Sequence, residues 1–236
     1  MFDFHDPVAA WSHLLMAGWS VVAGAFLLRM ARNHSRPKRA SLFAYAASVV
    51  ALYAASGLFH SIAHLPGDAS FRLWQRLDQT AIFLLIYGSN VPMLGYVLPK
   101  RERNRMLAGM GAVAAVGIAS LWAFPKPPYT LTVCVYLGMG ILGLVPMRSY
   151  YRKLGRRGLY LIARFAAFYV AGGLCEVFEW PSPLPGFLGY HEMMHFLDVF
   201  GTLGHYGLLW HVVTSQPSRA ASPSASFAAP ALRNPS

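Results

Sequence analysis

The last apolar segment of the chain opens with His191-Glu192-Met193-Met194-His195. Residues four positions apart lie on the same face of an α-helix, so the two imidazoles can reach one metal ion. The same face continues with three polar residues, Asp198, Thr202 and His205, on an otherwise apolar segment. In a helix that crosses a membrane, a polar stripe of this kind marks an interior site. The segment therefore predicts a metal site inside a helical membrane protein.

The composition agrees with that prediction. Of the 236 residues, 56% are hydrophobic and 12% are charged, whereas about 25% of the residues in soluble domains are charged. The net charge of +11 does not indicate nucleic-acid binding, because most of the basic residues lie in short stretches between apolar runs. We expect no nucleic-acid partner, and the sequence indicates no soluble protein partner.

Apolar runs of roughly 20 residues, each long enough to cross a bilayer as a helix, follow one another along the chain. They cover 8–30, 41–63, 77–98, 106–124, 129–147, 158–178 and 189–213. These runs predict an all-α polytopic membrane protein, with seven transmembrane helices enclosing a zinc site near one membrane face. Residues 1–214 would form the membrane domain, and the Ser-, Ala- and Pro-rich stretch 215–236 is predicted to be a disordered C-terminal tail.

The distribution of basic residues predicts the orientation. They are concentrated in three alternate connections, at 32–39, 100–105 and 148–157. The positive-inside rule places these connections in the cytoplasm. The N-terminus is then outside and the C-terminus is cytoplasmic. The ends of the apolar runs that lie opposite the basic connections face outward. We expect an integral protein of a bacterial inner membrane, with its zinc site toward the outer face.

Polar residues from three runs fall at one depth. Ser56 and His60 lie at the end of the second run, Asp78 at the start of the third, and His191 and His195 at the start of the seventh. Alternate helix ends share a membrane side, so these five residues can meet in one pocket in either orientation.

A catalytic zinc site has three protein ligands and one open position for water, whose pKa falls to about 7. We predict His60, His191 and His195 as the metal ligands. Asp78 is predicted to hold the water and move its proton. Ser56, four residues before His60, is predicted to stabilise a developing oxyanion.

Other ionisable residues have simpler interpretations. Glu176 and Glu179 are expected to be solvated at the membrane interface. Asp198 either orients the imidazole of His195 or is a desolvated, protonated acid. Three further histidines are each expected to hydrogen-bond a neighbouring helix: His13, His64 and His205.

The residues 191–195 also match the H-E-x-x-H motif of zinc proteases, in which Glu192 would be the general base. Glu192, however, lies about 100° around the helix from His191. Asp78 competes with it for the role of base, or would become a metal ligand in a protease. An intramembrane zinc protease is therefore a lesser alternative.

Short motifs spread over most of the chain resemble the hemolysin III and progestin/adipoQ receptor family, within the superfamily that includes alkaline ceramidases. They are Trp11-Ser12-His13-Leu14-Leu15, Ser56-x3-His60, Leu77-Asp78 with Gly88-Ser89-Asn90-Val91-Pro92, and His191-x3-His195 with His205-Tyr206. The resemblance implies seven helices, zinc held by the three matched histidines, a water between the metal and Asp78, and lipid-amide hydrolysis. Two features depart from it: Asp198 stands where an apolar residue is expected, and the charge bias places the site outside, whereas receptor members carry it on the cytosolic face.

The predicted function is that of a zinc-dependent integral-membrane hydrolase. It would cleave a ceramide-like lipid amide, or an ester, through zinc-bound water. Membrane lipids, ceramide-like or free fatty acid, are the expected partners, and Zn²⁺ is the expected cofactor. The alternative is a signalling receptor of the adipoQ type with a structural zinc. A hemolysin-like cytolysin is less favoured, because a pore requires polar stripes along whole helices and here the polar groups cluster at one end.

Overall fold

The computed structural model describes residues 6–62, 69–124, 129–184 and 186–215, which form seven α-helices and one short 3-10 helix. The helices are α1 (Pro7–Met30), α2 (Arg36–Ser61), α3 (Ala69–Val97), α4 (Lys100–Ala123), α5 (Tyr129–Leu144), α6 (Met147–Phe178) and α7 (Tyr190–Ser215), and the 3-10 helix is Ala31–Asn33. The predicted all-α fold is confirmed, and each predicted apolar run falls on one helix. The predicted tail, apart from Ser215 at the end of α7, lies outside the described residues.

Several helices begin earlier than the apolar runs that predict them. The basic stretches, expected to connect the helices, are therefore largely helical themselves. The helix α4 starts at Lys100, directly after Pro99, and α6 starts at Met147, directly after Pro146. Lys and Arg are good helix formers, and their long side chains can carry the charge away from an apolar helix. The apolar run marks only the part of each helix that suits the hydrocarbon core.

The helix α6 shows most clearly that an apolar run covers only part of a helix. Gly155 interrupts it with a φ of 66°, a conformation that glycine adopts without a steric penalty. The predicted sixth run, 158–178, corresponds to the part that follows this break.

Within the described part of the chain, five helices can cross a membrane by length and composition: α1 with the 3-10 helix, α2, α3, α4 and α6. The helix α5 is shorter, at 16 residues. The helix α7 is long enough but carries the polar stripe. The helices identify the chain as an integral membrane protein.

Close approach of α1 and α2 positions the site. A Cβ atom added to Gly57 would lie 2.9 Å from the Leu14 side chain, and one added to Gly24 would lie 2.9 Å from the Cβ of Ala46. The two helix axes can therefore lie close together along their lengths. The helix α7 packs against α1 on one side and along α6 on the other. The end of α2 and the beginnings of α1 and α7 consequently meet.

Candidate metal centre

Three histidines form a cluster at this meeting point. The ring of His195 lies 4.7 Å from that of His60 and 4.6 Å from that of His191, centroid to centroid. One ring nitrogen of each residue lies within 4.8 Å of those of the other two. His60 comes from the last turn of α2, and the other two come from the first two turns of α7. The structure thus brings together the three residues predicted as metal ligands.

The Nε2 atoms of the two histidines on α7 face each other. They are 3.1 Å apart. Only 3% of His195 and 4% of His60 is exposed, while His191 is half-buried. The cluster is therefore shielded on two sides and accessible beside His191.

The opposite nitrogen, Nδ1, of each ring has its own neighbour. The Nδ1 of His191 is hydrogen-bonded to Oε1 of Glu176 on α6. The Nδ1 of His195 is 2.9 Å from Nε2 of His13 on α1. The Nδ1 of His60 is 3.8 Å from Oδ2 of Asp6, which precedes α1.

The contact with Glu176 corrects a prediction. Its side chain is only 6% exposed, so the expected solvation at the membrane interface is wrong for this residue. A carboxylate inside an apolar helix bundle is costly without a partner, and His191 supplies one. Glu179, by contrast, is exposed at the end of α6.

Ser56 and Asp78 lie beside the cluster. Ser56 is buried one helical turn before His60. The carboxyl group of Asp78 is hydrogen-bonded to the hydroxyl of Ser56. Asp78 is not among the residues that approach one another closely enough to share a metal. The two predicted catalytic residues are thus adjacent to the three histidines.

Glu192 has a different role from the base of a zinc protease. Its Oε2 atom accepts a hydrogen bond of 2.6 Å from the backbone N–H of Gly189. A Glu in the first turn that bonds back to the residue preceding the helix is half of a capping box. The carboxylate is therefore engaged at the start of α7.

The remaining ionisable residues follow no single pattern. His13 does hydrogen-bond a neighbouring helix, through His195. His205 does not: within the described ranges both its ring nitrogens lack a hydrogen-bond partner, and it stacks on Phe165 at 4.5 Å. His64 lies outside the described residues. Asp198 does not hydrogen-bond His195; its carbonyl oxygen accepts a hydrogen bond from Tyr53, and its side chain lines a cleft.

This cleft runs between α3, α5, α6 and α7. Its cavity volume, measured as the space open to a water-sized sphere, is about 200 Å³, and it has an open mouth. Glu176 and Asp198 lie at the end near the cluster, and Ile162 lies near the opposite end. The 14 positions from Ile162 to Glu176 correspond to about 21 Å along α6. Most of the lining side chains are apolar, so the cleft suits a long apolar chain.

The sequence missed the pairing of Glu176 with His191 and the walls of the cleft. The sequence does place Glu176 at the same depth as the cluster, and this depth is the one feature that could have predicted the pairing. Depth alone does not show which face of α6 points toward α7.

Comparisons with known proteins agree with the motifs. A family model described as "Haemolysin-III related" matches residues 2–206. The chain is 28% identical to a hemolysin-3 homolog of Bacillus subtilis over 181 residues, covering 76% of this chain and 84% of the relative. It is 29% identical to hemolysin-3 of Bacillus cereus over 171 residues, covering 72% and 77%. An adiponectin receptor protein of Drosophila melanogaster is 25% identical over 214 residues, which is 83% of this chain and 48% of the receptor. The chain belongs to the haemolysin-III-related family.

Proposed function

We propose that the protein is a zinc-dependent integral-membrane hydrolase that cleaves an amide or ester bond of a lipid, with a ceramide-like amide as the favoured substrate. One observation carries the proposal. Three clustered imidazoles adjoin a carboxyl and a hydroxyl group, and a long apolar cleft begins at the same place. All seven helices would cross the membrane, with the short α5 at a wall of the cleft.

The donor set fits zinc. Tetrahedral coordination with Zn–N bonds of about 2.0–2.1 Å places ligand nitrogens about 3.3 Å apart. The Nε2 atoms of His191 and His195 are already 3.1 Å apart, and His60 completes a set of three neutral ligands. A zinc ion held there would act as a Lewis acid that lowers the pKa of water to about 7.

The protein's own residues would perform the remaining steps. The carboxylate of Asp78 would take a proton from the attacking water and later deliver it to the leaving amine or alcohol. The hydroxyl of Ser56 would donate a hydrogen bond to the oxyanion that develops on the substrate carbonyl. The cleft would hold the acyl chain and keep water away from it, and its open mouth would admit the lipid sideways from the bilayer.

A receptor or signalling protein with a structural zinc is the alternative. The similarity to the Drosophila adiponectin receptor protein favours it. The two functions share the histidines and the cleft and differ in whether lipid is consumed.

Fatty-acid release separates them. Detergent-purified protein is incubated with a panel of ceramides and matched esters, and released fatty acid is measured together with bound zinc. We expect release by the wild type, a loss of about 100-fold or more in Asp78→Asn, and unchanged zinc content. Glu179→Gln, which changes an exposed acid, is the control. Absence of release from every lipid, or equal release by Asp78→Asn, would overturn the enzymatic proposal.

We also propose that the site faces outward. The basic stretches on the opposite helix ends support this orientation. Pro183 is exposed in the connection between α6 and α7, so a cysteine placed there in intact bacteria should react with a membrane-impermeant maleimide. Reaction only after the cells are opened would contradict the orientation.

A further inference from the structure

We propose that Glu176 and His13 are positioning residues: they orient His191 and His195 from two sides of α7 and so set the affinity of the centre for metal. This inference rests on the proposed zinc binding. It assigns a role to two buried polar side chains, on α6 and α1, that the catalytic steps above do not use.

The contact of Glu176 determines which nitrogen of His191 is available. The carboxylate oxygen accepts a hydrogen bond, so the Nδ1 of His191 carries the proton. The Nε2 atom is then left with a lone pair, and this is the atom that faces His195. A carboxylate behind a ligating imidazole fixes both its tautomer and its ring angle.

The contact of His13 does the same for His195. The Nδ1 atom of His195 lies 2.9 Å from Nε2 of His13, and the Nε2 atom of His195 faces the cluster. A metal ion on that Nε2 would leave the proton on Nδ1, which would then donate the hydrogen bond that Nε2 of His13 accepts. His13 is only 2% exposed, and its ring packs edge-on against Tyr53 at a centroid distance of 4.7 Å. It therefore has little freedom to turn, and it holds the ring of His195 in place.

The two contacts come from different helices and act on neighbouring turns of α7. Together they direct both Nε2 atoms toward the same point, to which His60 contributes from α2. The contact between Asp6 and His60 is longer, at 3.8 Å.

Metal affinity tests the proposal. Zinc is removed from the full-length protein in detergent, and the dissociation constant is measured by competition with a chromophoric chelator. Glu176→Gln, nearly the same shape, and His13→Leu should each weaken zinc binding about 10- to 100-fold. His13→Gln retains an acceptor oxygen and should recover part of the loss. Glu179→Gln and His211→Leu are matched controls and should bind zinc like the wild type.

A second measurement separates positioning from simple structural support. The visible spectrum of the Co²⁺-loaded protein reports ligand geometry, so it should change in Glu176→Gln, while thermal unfolding of the metal-free protein should match that of the wild type. Unchanged zinc affinity and an unchanged cobalt spectrum in Glu176→Gln would overturn the inference and leave the proposed function standing. A wild type that binds no zinc would overturn both.

Discussion

The candidate metal centre and the cleft lie next to each other, but they are built differently. Two of the three histidines, His191 and His195, are held by hydrogen bonds from α6 and α1, and His60 and His195 are almost completely buried. The cleft has mostly apolar walls and an open mouth. Each side chain of the centre has a defined orientation, whereas the cleft offers mainly volume. Under the proposed function, variants of the histidines and variants of the cleft wall on α5 therefore test different steps.

Glycines in the two regions show the same contrast. A Cβ on Gly57, one turn before Ser61 and close to the centre, would press against Leu14 at 2.9 Å. A Cβ on Gly140, in the wall of the cleft, would meet nothing within 4 Å. The helices around the centre are in contact, while α5 leaves space. We expect larger side chains near the centre to disrupt helix packing. We expect larger side chains in the cleft to reduce the space in it without moving the helices.

The largest effect is expected from removing two metal ligands. His60→Ala combined with His195→Ala leaves His191 alone, and a single imidazole does not hold zinc in competition with a chelator. Zinc content should fall from about one ion per chain to background, measured by elemental analysis of the purified protein. His211→Ala, 16 positions after His195 and about 24 Å farther along α7, should keep its zinc. Equal zinc in the double variant and the wild type would show that the cluster is not the metal site.

A smaller effect is expected from filling the cleft. Gly140→Leu places four carbon atoms in the cleft without touching the centre. Exclusion of two methylene groups of an acyl chain forfeits about 0.8 kcal/mol each, so kcat/KM for the longest substrates should fall about tenfold while zinc content stays constant. The matched control is Gly138→Leu, on the same helix but outside the lining.

The outcome of the cleft experiment separates filling of the cleft from movement of α5. A uniform loss for all chain lengths in Gly140→Leu would indicate that the helix has moved. Equal losses in Gly138→Leu would lead to the same conclusion. Loss confined to long chains would identify the cleft as the acyl site.

The sequence predicted the helices and the histidines for one physical reason. Hydropathy locates the apolar part of each described helix, and position along that part gives depth, which brought His60 together with His191 and His195. Rotation of a helix about its axis is not encoded in this way. The rotation of α6 that points Glu176 toward His191 depends on packing against α7, and the sequence did not predict it. The helical extensions at Lys100 and Met147 were missed because their charged residues do not follow the apolar pattern.

The smallest effect is expected at Glu192, the residue that gives the sequence its protease motif. Its carboxylate bonds to the backbone of Gly189 at the start of α7, so Glu192→Gln should weaken a helix cap and no more. Loss of a capping interaction costs about 0.5–2 kcal/mol, and the amide oxygen of Gln can still accept the bond, which favours the low end of that range. Thermal unfolding should therefore shift slightly, while zinc content and fatty-acid release stay within about twofold of the wild type. A protease base behaves otherwise: Glu192→Gln would then retain zinc and lose activity by about 100-fold or more. Because Asp78→Asn is expected to show that second pattern, the pair of variants decides which carboxylate serves the metal centre.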